Sequence, residues 1–144
     1  MRKAVSCLAV LVLLAAAPSA RAAQSVAAVL ESNAVSCLYM IMNTYHRQLV
    51  TCQTPLNQDR QERFVNMNAA MEQYIRDNAR FGSESIIANA KASAERAAQT
   101  LPVCTSLEFR GIRQEMLNFT TADTENQLYA VLESKTILVT GSCF

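Results

Sequence analysis

The chain is poor in residues that interrupt a helix. It has three glycines and three prolines in 144 residues, and beyond residue 22 only Pro55, Pro102, Gly82, Gly111 and Gly141 remain. Scarce breakers, abundant alanine and no alternation of apolar with polar residues exclude a turn-rich β protein and predict an all-α one. The patterns C-x-x-C, C-x-x-C-H, H-E-x-x-H, G-x-S-x-G and S-x-x-K are missing, as is any glycine-rich loop that could cradle phosphate. His46 is the only histidine. With no nucleophile set beside a base, the usual hydrolytic chemistry has no carrier, so the chain reads as non-enzymatic and in need of no cofactor. No apolar run reaches the roughly 20 residues that a membrane span requires.

What is present begins with a basic start, Met1-Arg2-Lys3. An apolar run follows over residues 4–17, broken only by Ser6, and then Pro18, Ser19 and Ala20-Arg21-Ala22. This is the layout of a secretory signal peptide with cleavage after Ala22. It leaves a single domain, residues 23–144, in the periplasm or outside the cell. The pentapeptide Ala4-Val5-Ser6-Cys7-Leu8 recurs as Ala34-Val35-Ser36-Cys37-Leu38. The first copy leaves with the signal, and the second stays with the fold.

Cleavage takes Arg2, Lys3 and Arg21 from the 13 basic residues, so 10 face 12 acidic ones and the net charge is near −2. A nucleic-acid partner calls for a basic face, which this balance argues against. Four cysteines remain: Cys37, Cys52, Cys104 and Cys143. An even number in an exported chain implies two disulfides.

The apolar periodicity predicts four or five helices in an up-down bundle. A first helix over about 25–51 carries the stripe Leu30, Ala34, Cys37, Ile41, Tyr45 and Leu49. Thr54-Pro55 reads as the cap and first turn of a second helix that runs to about Phe81, with Gly82 closing it. Its stripe is Phe64, Met67, Met71, Tyr74, Asn78 and Phe81. Ser83 caps a third helix, whose Ala90, Ala94 and Ala97 admit a close neighbour, and Pro102 stops it. Thr105-Ser106-Leu107-Glu108 is a capping box for a fourth helix. Thr120 to Thr124 reads as a break with a new cap. A fifth helix then ends at Gly141, although the β-branched run over 136–140 also suits an extended chain.

Geometry bears on the cysteine pairing. Cys37 and Cys52 lie on one predicted helix, fifteen residues or roughly 22 Å apart. A disulfide needs Cα atoms within about 7 Å. In an up-down bundle the first and third helices finish at the same end, which favours Cys52–Cys104 and leaves Cys37 for Cys143. Cys37–Cys104 with Cys52–Cys143 is the alternative.

One cluster could hold a metal. Met42 and His46 stand i,i+4 on one helix face, and Met67 and Met71 repeat the spacing on the next helix. Thioether with imidazole suits Cu(I) or the axial positions of haem iron. Methionines at helical spacing also simply fill a core. Among the charges, Asp59 with Arg63 and Glu72 with Arg76 have the spacing of helical ion pairs.

Cys37-Leu38-Tyr39, then Cys52-Gln53-Thr54-Pro55, Tyr74-Ile75 and Leu101-Pro102-Val103-Cys104 form an ordered pattern. It resembles that of the small periplasmic all-helical immunity proteins that neutralise cell-wall amidase effectors of type VI secretion. The likeness covers roughly residues 25–104. The glycine that family carries before the tyrosine is absent here, and the closing cysteine falls one residue late. The resemblance implies an exported helical bundle that acts by binding another envelope or secreted protein. A small copper or haem carrier using Met42 and His46 is the second reading, and a structural or stress-related envelope protein the third.

Overall fold

The computed structural model describes residue 30 and residues 34–100, 103–135 and 137–141. The predicted signal, most of the chain before Ala34, Pro102 and Cys143 lie outside these. Within them the protein is helical with no strand, in five bounded helices. These are α1 (Val35–Thr51), α2 (Gln58–Asn78), α3 (Ser83–Gln99), α4 (Leu107–Phe119) and α5 (Ala122–Glu133). None of the described helices is long and apolar enough to cross a membrane.

Helix α1 is the centre of the molecule. Val35, Cys37, Leu38, Tyr39, Met42, Thr44, Gln48 and Leu49 are all buried along it. The predicted stripe was too narrow, because α2, α3 and α4 all pack against this helix and cover more than one face. Its predicted start is corrected as well. Ala34 is extended, with ψ of 160°, so α1 begins at Val35 and no helix runs unbroken through that position.

Alanine has no side chain with which to cap a helix. The far end of the chain supplies the missing partners. The Val35 N–H donates to the Leu138 carbonyl at 2.9 Å, and the Ser36 N–H donates to the Val139 carbonyl at 3.1 Å. Two of the orphan donors of the first turn are thereby satisfied by residues about a hundred positions away. Residues 137–140 are therefore not helical, and the fifth helix ends at Glu133, eight residues before Gly141. Lys135 turns the chain with a left-handed φ of 54°.

Other boundaries move for local reasons. Helix α2 is capped by Asn57, whose side chain accepts from the Arg60 N–H at 3.0 Å, so Thr54 and Pro55 stay in the connection. It ends at Asn78, whose amide donates to its own Tyr74 carbonyl at 2.9 Å. The backbone leaves the helix at Ala79, which is extended with ψ of 129°. Gly82, with φ of 66°, then sits at the N-cap of α3 rather than at the end of α2. Ser106 rather than Thr105 caps α4, accepting from the Phe109 N–H at 3.1 Å. Thr121 caps α5 within the predicted break.

Side-chain contacts fix the directions. Tyr39 meets Glu72 and His46 meets Gln61, so α2 runs antiparallel to α1. Arg47 meets Glu95 and the end of α1 meets Cys104, so α3 runs parallel to it. The expected Asp59–Arg63 pair does not form. Arg63 points to Glu125 on α5 instead, at 3.9 Å. Helix α4 departs from the up-down scheme. It starts near Cys104, and its C-terminal Leu117 carbonyl accepts from Arg60 in the first turn of α2. Both ends of α4 thus lie toward the lower end of the bundle, where α1 finishes. Arg60 also donates to the buried Thr120 hydroxyl at 3.3 Å, placing a cation at a helix C-terminus where the backbone dipole favours it.

The Cys52–Cys104 disulfide forms, with Cα atoms 5.4 Å apart, and closes the lower end. A bridge is at home in an oxidising compartment. Cys37 is fully buried and is not a free thiol. Its sulfur lies 3.8 Å from the Gly141 carbonyl, while Cys143 is outside the described residues.

Candidate functional site: a groove at the upper end

The upper end, where α1 begins, holds a groove of about 540 Å³. The end of α2 and Ala79, Arg80 and Phe81 make one wall, Ile86 of α3 adds to it, and the non-helical tail over 137–140 makes the other. Helix α2 stops at Asn78, so Phe81 does not continue the core stripe as the periodicity predicted. It swings into solvent and is 90% exposed. Leu138 on the opposite wall is 70% exposed.

The tail is held in place from below. The Tyr74 hydroxyl donates to the Ile137 carbonyl at 2.6 Å, and the two amides of α1 hold the next two carbonyls. These bonds consume backbone acceptors and leave the side chains to line the groove.

The groove also carries charge of one sign. Arg80 and Lys135 line it, and among the described residues no carboxylate lines it and neither cation has an ion-pair partner. Around the corner, between α2 and α5, a second hollow of about 410 Å³ shares Tyr74, Asn78 and Lys135. There the charged lining includes Asp77 and Glu133. Tyr129 at that hollow donates to Glu125 at 2.7 Å; burial and this bond push its hydroxyl up to about 12.

The most strongly perturbed titratable pair lies elsewhere. Tyr39 is buried, and its hydroxyl donates to Glu72 at 2.6 Å. Burial first, and then the bond to Glu72, push that hydroxyl well above the ordinary tyrosine range. Burial alone would raise the Glu72 carboxyl, but hydrogen bonds from Tyr39, Lys91 and Arg76 outweigh it and hold the carboxyl low. Lys91 stands 2.9 Å and Arg76 3.1 Å from Glu72, the latter as the i,i+4 spacing predicted. Arg76 also reaches Glu84 at 2.6 Å. The cluster ties α1, α2 and α3 together and does not border the groove.

The Met42/His46 pair is placed in the middle of the bundle. Met42 has no exposure, and neither have Met67, Met71 or Met116. His46 lies flat on Phe64, with ring centroids 4.1 Å apart, and its Nε2 is 2.8 Å from the Gln61 side-chain oxygen. Among the described residues, no three His, Cys, Asp or Glu side chains gather as a metal site.

Sequence reasoning missed the groove. The only available signal was Arg80-Phe81-Gly82, an aromatic between a cation and a glycine, and the helical spacing from Asn78 hid it. Compared with known proteins, the chain matches no family model, no curated protein and no solved structure.

Proposed function

We propose that this is an exported, non-enzymatic protein that binds another protein of the cell envelope, and that the upper groove is where it binds. Neutralising or inhibiting that partner is the sharpest form of this reading, and the periplasm is its setting. The observation that carries it is Phe81. A fully presented aromatic beside an arginine is the kind of residue pair on which interface binding energy concentrates. The groove behind it offers the concavity that a partner side chain needs, and the bundle supplies a rigid mount. The disulfide supports the setting, because a bridge survives where the surroundings are oxidising. The test is capture from envelope extracts on the oxidised protein. Wild type retains one partner, and Phe81→Ser loses it without change in the helical circular-dichroism spectrum. Equal capture by both would remove the groove from the reading, and no capture by either would remove the binding role.

A further inference from the structure

The geometry points to a defined kind of occupant for the groove: a peptide segment in which an apolar side chain is followed or preceded closely by a carboxylate. The inference rests on the binding role proposed above and adds the chemistry of what is bound.

Three observations carry it. The first is the lining. Ile86, Ile137 and Val139 are half-buried, and together with the exposed Phe81 and Leu138 they give an apolar side chain surface to cover. Burying it is favourable in proportion to the apolar area removed from water. The second is the charge. Arg80 and Lys135 stand on the same groove with no carboxylate in the lining and no ion-pair partner among the described residues. Arg110 and Arg113 on α4 also lack an ion-pair partner among the described residues, but neither of them lines this groove with its apolar side chains as Arg80 and Lys135 do. The third is segregation. Asp77 and Glu133 line the neighbouring hollow instead, on the other side of Tyr74 and Lys135. A carboxylate is therefore favoured in the groove over the hollow beside it, where Asp77 and Glu133 accompany Lys135. Arginine adds geometry to charge, because its planar fork can bind a carboxylate through two parallel bonds.

The experiment is selection of randomised displayed dodecapeptides on the full oxidised chain, followed by measurement of the enriched peptides in solution. The expected peptides carry Asp or Glu within a few positions of an aliphatic or aromatic residue. Their binding weakens as salt is raised. It falls at least tenfold with Arg80→Glu and with Phe81→Ser, both exposed positions whose variants keep the wild-type circular-dichroism spectrum. Enriched peptides without acidic residues, or ones indifferent to both variants, overturn this inference and leave the general binding role standing. Failure to enrich any peptide overturns the inference, while capture of a partner from envelope extracts still decides the binding role separately. Concentration-dependent self-association that Phe81→Ser abolishes would give the groove to a second copy of the chain and also overturn it.

Discussion

The two ends of the bundle expose apolar side chains and solve different problems. At the lower end Val103 and Leu107 are 73% and 76% exposed, beside the Cys52–Cys104 bridge. A hollow of about 400 Å³ there is lined by Arg47 and Glu95, which are paired 2.7 Å apart, while Arg110 and Arg113 of α4 have no ion-pair partner among the described residues. At the upper end Phe81 is still more exposed, and Arg80 and Lys135 have no matching acid among the described residues. The lower end is closed by a covalent bond. The upper end is closed by the tail, through hydrogen bonds from Tyr74, Val35 and Ser36. The lesson is that exposed apolar surface alone does not mark a site. Both ends have a hollow with apolar surface beside it, and what distinguishes the upper one is that the cations lining it have no acid beside them among the described residues, whereas Arg47 in the lower one is paired with Glu95.

The largest effect on this contrast should come from the bridge. Replacing Cys52→Ala together with Cys104→Ala opens a loop of 52 residues. A crosslink of that span stabilises by about 4 kcal/mol in the chain-entropy picture. Denaturant unfolding should show a loss of that order. Hydrogen exchange should quicken first around α4, while the amides of Val35 and Ser36 keep their protection. Early loss at Val35 and Ser36 would mean that the two ends are not independent.

Next in size is the cluster that joins the middle of the bundle. Tyr39→Phe removes a buried hydroxyl bonded to a charged acceptor, a loss of about 1.5–3 kcal/mol in the unfolding free energy. The same cluster sets a pH dependence. The Glu72 carboxyl is held below its ordinary value of 4.5, so its contribution is complete above that pH and is lost as pH falls through the lower folded value. The Tyr39 hydroxyl is raised above its ordinary value of 10.0, so its contribution is complete below that pH and declines as pH rises beyond it. Unfolding midpoints measured from pH 2 to 11 should show both slopes, with Glu72→Gln flattening the acid one and Tyr39→Phe the alkaline one.

Smaller still is the tail. Tyr74→Phe removes the hydroxyl that holds the Ile137 carbonyl and should cost about 1 kcal/mol. Its particular signature is faster exchange at Val35 and Ser36, with the lower end unmoved. Gly82→Ala should cost a comparable 1 kcal/mol or so, because alanine must adopt the left-handed φ of 66°, although the new methyl meets only the Ser85 Cβ at an ordinary 3.8 Å.

The sequence carried the helical class, the Thr120–Thr124 break and the Cys52–Cys104 bridge, and each was legible for a physical reason. Helical periodicity spans many residues, so single exceptions do not obscure it. The bridge follows because parallel first and third helices must finish together. The groove was not legible. Phe81 falls three residues after Asn78, which is good helical spacing, and the spacing does not show that the backbone leaves the helix at Ala79, where ψ is 129°. The capping of α1 was hidden more deeply, since the Leu138 and Val139 groups that do it are backbone carbonyls, which every residue has. Lys135 at a left-handed φ carries no glycine to advertise the turn. For the Met42/His46 pair, spacing showed a shared face but not that Gln61 and Phe64 would occupy the imidazole.

The most direct test places a photo-crosslinking phenylalanine analogue at position 81 in one variant and at position 107 in another, both exposed, one at each end of the bundle. Cells producing each variant are irradiated and the adducts compared. The account predicts one dominant adduct from position 81, suppressed by Arg80→Glu, and none from position 107. An adduct from position 107 alone, or the same adduct from both, would contradict the assignment of binding to the upper groove.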